Sequence, residues 1–157
     1  MDKKERERAM KPSHIVLNEL LVNLFKDILQ IEEKALREQG SDLTITEIHT
    51  IDAISYDRAR TMSEIAKDLE ITMGTLTTAV DKLIKKGYAL RMRSEEDKRV
   101  VLVELTDKGK EAKNLHDHFH QDMIDSVVKE LTDNEEEVLI DSLNKLMGFF
   151  DKKYRQK

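Results

Sequence analysis

The 157-residue chain has no cysteine and no tryptophan, one proline and five glycines. Without cysteine there is no disulfide framework, no thiol nucleophile and no Cys-ligated zinc site. So few turn-forming residues, with aromatics at 4%, argue against a β-sandwich or a nucleotide-binding α/β fold, which need turn clusters and Gly-rich loops. There is no Gly-rich phosphate loop, no nucleophile elbow and no acid pair in a convincing setting, so an enzyme is not expected. No apolar run approaches the ~18 residues of a membrane-spanning helix. Met1 to Lys11 alternates Lys and Arg with Glu and Asp and has no apolar stretch. It does not read as a secretory signal, and a cytoplasmic protein is expected.

What the chain does have is charge and helical periodicity. Charged residues make up 38% and hydrophobic residues 39%, a balance that suits surface-charged helices around one domain or two small lobes. The formal net charge of −5 is uneven. Between Arg58 and Lys113 there are 13 Lys/Arg against 10 Asp/Glu, and elsewhere 14 against 22. The middle is therefore +3 and the remainder −8, a distribution compatible with a nucleic-acid-binding centre and also with scatter.

Periodicity places helices at about Ser13–Glu38, Ile45–Tyr56, Met62–Leu69, from a Thr72 cap to Lys86, Asp107–Lys129 and Asn134–Tyr154. Three starts carry Thr-x-x-Glu: Thr44–Glu47, Thr61–Glu64 and Thr132–Glu135. In this capping box the Thr oxygen accepts a first-turn amide proton while the Glu reaches back to the cap amide. Gly40 and Gly87 are the expected stops. The apolar stripe of the first helix, from Val16 through Leu24, Phe25 and Ile28 to Ala35, is wider than one face and predicts burial on two sides. The runs Tyr88–Arg93 and Val100–Leu105 flank the polar stretch Ser94–Arg99 and read as a β-hairpin.

The segment Thr61–Lys86 has the spacing of a helix-turn-helix. Met62, Ile65, Ala66 and Leu69 form one inner face, and Met73, Leu76, Val80, Leu83 and Ile84 form the other. The second helix turns Gly74, Thr75, Thr77, Thr78, Asp81, Lys82 and Lys85 outward, after the Thr72 cap. Thr is a poor choice for a merely solvated helix face. Its hydroxyl suits phosphate or base edges and its methyl suits the thymine methyl, so the two readings stay open. Gly74 admits close approach of a phosphate near a helix N-terminus. The hairpin adds Arg91, Arg93, Ser94, Lys98 and Arg99, with Asp97 placed to orient the Arg99 guanidinium, and an Arg at such a tip suits a narrow minor groove. An ordinary polar face with a self-neutralising loop is the bland alternative, and a helical adaptor would explain the caps but not this Thr-rich face followed by a basic hairpin.

The run Asp97-Lys-Arg99-Val-Val-Leu-Val-Glu-Leu105-Thr106-Asp-Lys-Gly109, after Leu83-Ile-Lys-Lys-Gly87-Tyr88 and Arg93-Ser94, resembles the MarR family of bacterial regulators from the first helix to the last. The resemblance implies a mainly α fold with a small β-hairpin. It also implies a triangular homodimer in which 1–40 and 107–157 form the helical dimerisation region and 41–106 the winged helix-turn-helix lobe. Double-stranded DNA with a pseudo-palindromic operator is the expected partner, with Arg99 probing the minor groove.

Within that family the chain is most similar to the FabT-type repressors of fatty-acid synthesis genes. The residues that carry this likeness are Glu47-Ile-His49-Thr50-Ile51-Asp52-Ala-Ile54, Gly74-Thr75-Leu-Thr77-Thr78, Lys86–Val101 and Leu115-His116 to Phe119-His120. It implies a long-chain acyl-acyl carrier protein as co-repressor and no required cofactor. Leu24, Ile28, Ile48, His49, Ile51, Leu115, His116, Phe119 and His120 are the candidate lining of an acyl slot, and plain core is the competing reading. His49, His116 and His120 also resemble ligand positions of zinc-sensing relatives, which makes zinc the alternative effector. Against it, Ile48 and Leu115 stand where additional carboxylate ligands would be wanted.

Overall fold

The computed structural model describes residues 11–155. The Met1–Lys11 reading therefore falls almost wholly outside the described residues, as do the extreme ends of the two regions assigned to dimerisation. Six α-helices are present among the described residues: α1 Pro12–Glu38, α2 Ile45–Ile54, α3 Met62–Asp68, α4 Met73–Lys85, α5 Asp107–Lys129 and α6 Asp133–Phe150. A π-helical turn, Asp151–Arg155, follows α6. Strands β1 Arg60–Thr61, β2 Ala89–Arg93 and β3 Val101–Leu105 form one antiparallel sheet in the order β1-β3-β2.

All three Thr-x-x-Glu boxes close reciprocally at the starts of α2, α3 and α6. Thr72 caps α4 by accepting from the Thr75 amide at 3.2 Å. Gly40 and Gly87 sit at φ +71° and +81°, left-handed conformations that a Cβ disfavours, and they end α1 and α4. Two helix ends and one strand differ from expectation. The second helix stops at Ile54, because Ser55 turns to φ +80°. The last helix gives way to the π-turn after Phe150. The strand β1 was not expected. It exists because Arg60 and Thr61 pair with Val103 and Leu102 on the open edge of the hairpin.

The chain divides into two compact units, one ending at His116 and one beginning at Asp117. The core of the first gathers Ile48, Ile51 and Ile54 of α2, Ile65 of α3, Leu76, Val80 and Leu83 of α4, and Val103 of β3, all fully buried. Leu36 of α1 joins it. Ala66 is buried at the α3–α4 crossing, where a small side chain lets two helices approach. Gly109 at the start of α5 is also fixed by packing. A Cβ there would lie 2.0 Å from the Tyr88 carbonyl oxygen.

The expectation that α1 is buried on two sides does not hold within one chain. Val16, Leu17, Leu20, Leu24, Phe25 and Ile31 are all more than half exposed, and only Glu32 and Leu36 of that helix are buried. The stripe is broad because its outer part faces away from the chain's own core. In the second unit α6 likewise exposes Leu139, Leu143, Leu146, Met147 and Phe150. No helix among the described residues is long and apolar enough to cross a membrane.

Candidate nucleic-acid interface

Helix α4 is the exposed member of the helix-turn-helix. Leu76, Val80 and Leu83 hold it to the core, and Thr72, Gly74, Thr75, Thr77, Thr78, Asp81, Lys82 and Lys85 stay exposed on its other faces. Its hydroxyls are engaged locally. Thr72 and Thr75 share a hydrogen bond between their Oγ1 atoms at 2.9 Å. Thr77 Oγ1 donates to the Met73 carbonyl at 2.8 Å, and Thr78 Oγ1 to the Gly74 carbonyl at 3.2 Å.

Two clefts flank this helix. One, of about 530 Å³, lies between α4 and the wing and is lined by Met73, Thr77, Arg91 and Arg99 with Thr61, Met62, Ser63, Val100 and Val101. The other, of about 440 Å³, is lined by Thr75, Thr78, Ala79 and Lys82 together with Thr44, Thr46 and Glu47 of the α2 start. The α2 threonines were not singled out from the sequence, since their pattern showed only a capping box.

The wing tip is a tight, self-bonded loop. The Ser94 amide donates to the Val100 carbonyl at 3.0 Å, and the Val100 amide to the Asp97 carbonyl at 2.9 Å. Ser94 Oγ accepts from the Glu96 amide at 3.2 Å. Arg93 Nη1 donates to the Lys98 carbonyl at 3.0 Å. Asp97 differs from its sequence assignment. Its Oδ1 accepts from the backbone amide of Arg99 at 2.9 Å and so shapes the loop, while Arg99 also lines the cleft beside α4. This follows from spacing: a carboxylate two residues before an amide forms an Asx-type turn with little entropy cost. Arg91, expected to grip alongside Arg99, pairs with Asp81 of α4 at 2.8 Å.

Behind this surface, α2 is fastened to the end of α4. Lys86 Nζ donates to the Asp42 carbonyl at 2.6 Å and to Glu47 Oε2 at 2.8 Å. Burial pushes the Glu47 carboxyl up, but Lys86 and Thr44 outweigh it and hold it below the ordinary value. The Tyr88 hydroxyl donates to Asp42 Oδ1 at 2.6 Å. Burial and this bond push the Tyr88 phenol up to about 12.

The candidate effector residues of the first unit differ in exposure. Ile48 and Ile51 are fully buried in the core, Leu24 is 55% exposed, and Ile28 is half-buried on α1. Leu115 borders a cleft of about 200 Å³ with Leu36, Tyr88 and Lys108. Phe119 and His120 belong to the second unit, where their rings meet edge to face. His49 and His116 do come together, and the residue that unites them was not anticipated. Glu32 Oε1 takes His49 Nε2 at 3.0 Å and His116 Nε2 at 2.7 Å. His116 Nδ1 lies 2.8 Å from Asp52 Oδ2, and Asp52 Oδ1 lies 3.3 Å from Lys113 Nζ. Burial pushes the His116 imidazolium pKa down, but Asp52 and Glu32 outweigh it and hold it above the ordinary value. Glu32 had a sequence signal, since it lies one turn from both Ile28 and Leu36 on the inward row of α1.

The description "MarR family" matches residues 43–101. The chain is 31% identical over 143 residues to the multiple antibiotic resistance protein MarR of Escherichia coli, covering 88% of this chain and 99% of that protein. It is 30% identical over 128 residues to the regulator SarZ of Staphylococcus epidermidis, covering 81% and 84%. Among solved structures, Streptococcus pneumoniae FabT in complex with DNA superposes with a TM-score of 0.84 at 38% identity, covering 88% of this chain and 98% of that one. A mutant E. coli MarR complexed with operator DNA gives 0.68 at 28% identity, covering 85% and 95%. An outward α4, a wing tipped with Arg99 and these relatives lead to one conclusion: the chain belongs to the MarR family of DNA-binding transcriptional regulators, and it is not an enzyme.

Proposed function

We propose that this regulator is a homodimeric repressor of fatty-acid biosynthesis genes, with long-chain acyl-acyl carrier protein as its co-repressor. The observation that carries the reading is the match to the DNA complex of FabT, 38% identical with a TM-score of 0.84. Dimer formation is supported by the apolar side chains left exposed on α1 and α6, such as Leu20 at 61%, Phe25 at 65% and Leu143 at 47%. Stripes of that kind mark protein–protein interfaces. Two copies would present two α4 helices to successive major-groove turns of a pseudo-palindromic operator. The test is fluorescence anisotropy of operator DNA with carrier protein bearing a long acyl chain, against unacylated carrier protein. Tighter binding only with the acylated form is expected. Equal binding rejects the co-repressor, and a monomer by light scattering at micromolar concentration rejects the dimer.

The convergence of His49 and His116 on Glu32 favours a second reading, a zinc response. Imidazole nitrogen and carboxylate oxygen are ligand types that zinc takes. Zinc tightening operator binding, with reversal by chelator, would establish this reading over the first.

A further inference from the structure

The exposed threonines of α4 are not equivalent to free hydroxyls. Thr77 and Thr78 each donate their single hydroxyl proton to a carbonyl one turn back, Met73 at 2.8 Å and Gly74 at 3.2 Å. A threonine in that state keeps oxygen lone pairs and a γ-methyl for an incoming ligand but has no proton to give. Phosphate oxygens, guanine O6 and N7 and thymine O4 are acceptors, so they need a donor. A hydroxyl would have to give up its helix bond to serve them.

The rest of α4 narrows the choice. The N-terminal half of the helix, Met73–Ala79, contains no Arg, Lys, Asn or Gln, the side chains that read guanine or adenine by paired hydrogen bonds. Asp81, the acceptor that would suit cytosine N4, has its Oδ1 2.8 Å from Arg91. What Thr77 and Thr78 offer to a base is therefore methyl surface and hydroxyl acceptors. The thymine C5-methyl and an exocyclic amino group are the base features that match.

We infer that Thr77 and Thr78 determine sequence specificity by packing their γ-methyls against thymine C5-methyls, with Oγ1 accepting from a neighbouring amino group and not donating to phosphate. This rests on the reading that α4 enters the major groove, and it goes beyond it by naming the base feature that is read.

Duplexes that the full-length protein selects from a random pool supply the probe. Each thymine of the selected site is then replaced by deoxyuridine, which removes only the C5-methyl, and binding is followed by fluorescence anisotropy at fixed salt. One buried methyl corresponds to roughly fourfold in affinity, so a loss of that size is expected at one or more thymines per half-site. Thr77→Val and Thr78→Val keep the methyl and shape, and should keep the response at those thymines. Thr77→Ser and Thr78→Ser keep the hydroxyl and should abolish it. Both positions are exposed, and circular dichroism is the check that each variant folds. A wild type insensitive to deoxyuridine overturns the inference, as does sensitivity that survives in both Ser variants or a loss of binding to all sequences in the Val variants. Failure to select any duplex overturns the major-groove reading itself and is recognised by the absence of a bound pool.

Discussion

Glu32 and His116 stand 84 positions apart in sequence and 2.7 Å apart in space, both almost completely buried. The carboxylate comes from α1, the imidazole from α5, and His49 of α2 shares the same oxygen. The C-terminal part of α1 and the start of α5 are thus tied to α2 within the first unit. Removing one member of a buried charged cluster leaves the others unpaired, which typically costs about 3–5 kcal/mol. Glu32→Ala is expected to destabilise by an amount in that range, measured by urea unfolding at fixed protein concentration. A change within experimental error would show that the cluster carries no stability.

Arg99 and Asp97 should separate in their effects. Arg99→Ala removes a cation from the cleft between wing and α4 without touching the loop bonds, since only the Arg99 amide is held by Asp97. DNA affinity is expected to fall by about 1–3 kcal/mol with the thermal midpoint unchanged. Asp97→Ala should loosen the wing first, seen as faster amide exchange at Arg99, with a smaller loss of affinity. Identical operator affinities for wild type and Arg99→Ala, measured at one salt concentration, would remove the wing from the DNA interface.

The capping box of α3 gives a pH dependence. Hydrogen bonds from the Thr61 amide and from Arg58 and Thr61 side chains hold the Glu64 carboxyl down at about 2. Its folded value is below the unfolded one, so its contribution is complete above about 4.5 and is lost as pH falls toward 2. Glu64→Gln should therefore flatten stability against pH across that interval. Thr61→Ala, which removes the cap itself, should cost about 1 kcal/mol at neutral pH. Unfolding midpoints from pH 2 to pH 7 test both, and parallel curves for wild type and Glu64→Gln would refute the assignment.

Gly109 lies in the Leu-Thr-x-x-Gly motif for a steric reason. Its site faces the Tyr88 carbonyl, 2.0 Å from where a Cβ would stand. Thr106 braces the same corner, donating from its amide to the Tyr88 carbonyl at 3.1 Å and from Oγ1 to the Gly87 carbonyl at 2.7 Å. Gly109→Ala is expected to destabilise by about 1–3 kcal/mol, as overpacking against immovable backbone does, although alanine is the better helix former. A stabilised variant in thermal unfolding would show that the corner has room.

Much of this molecule was legible one turn at a time. The starts of α2, α3 and α6 depend on bonds between residues three apart, so Thr44, Thr61 and Thr132 announce them wherever they fall. Gly40 and Gly87 stop helices because the φ they adopt is easy only without a Cβ. The outward Thr-rich face of α4 follows from the inward spacing of Leu76, Val80 and Leu83. The relation of Arg99 to its preceding acid was legible in part. Two residues of separation predict contact between Asp97 and Arg99, but not that the amide, rather than the guanidinium, is the atom held.

The remainder was decided by parts of the chain that are distant in sequence. Strand β1 has two residues and no pattern of its own; it forms because Val103 and Leu102 offer a free edge. Arg91 bonds to Asp81 because the sheet and α4 are laid side by side. The two histidines share Glu32 because three helices meet there. Sequence alone determined where the capped helices begin, where Gly40 and Gly87 stop α1 and α4 and which face of each helix is apolar, since those depend on neighbours within one turn. Which polar groups pair across elements depends on how the elements pack, and only the tertiary structure decided that.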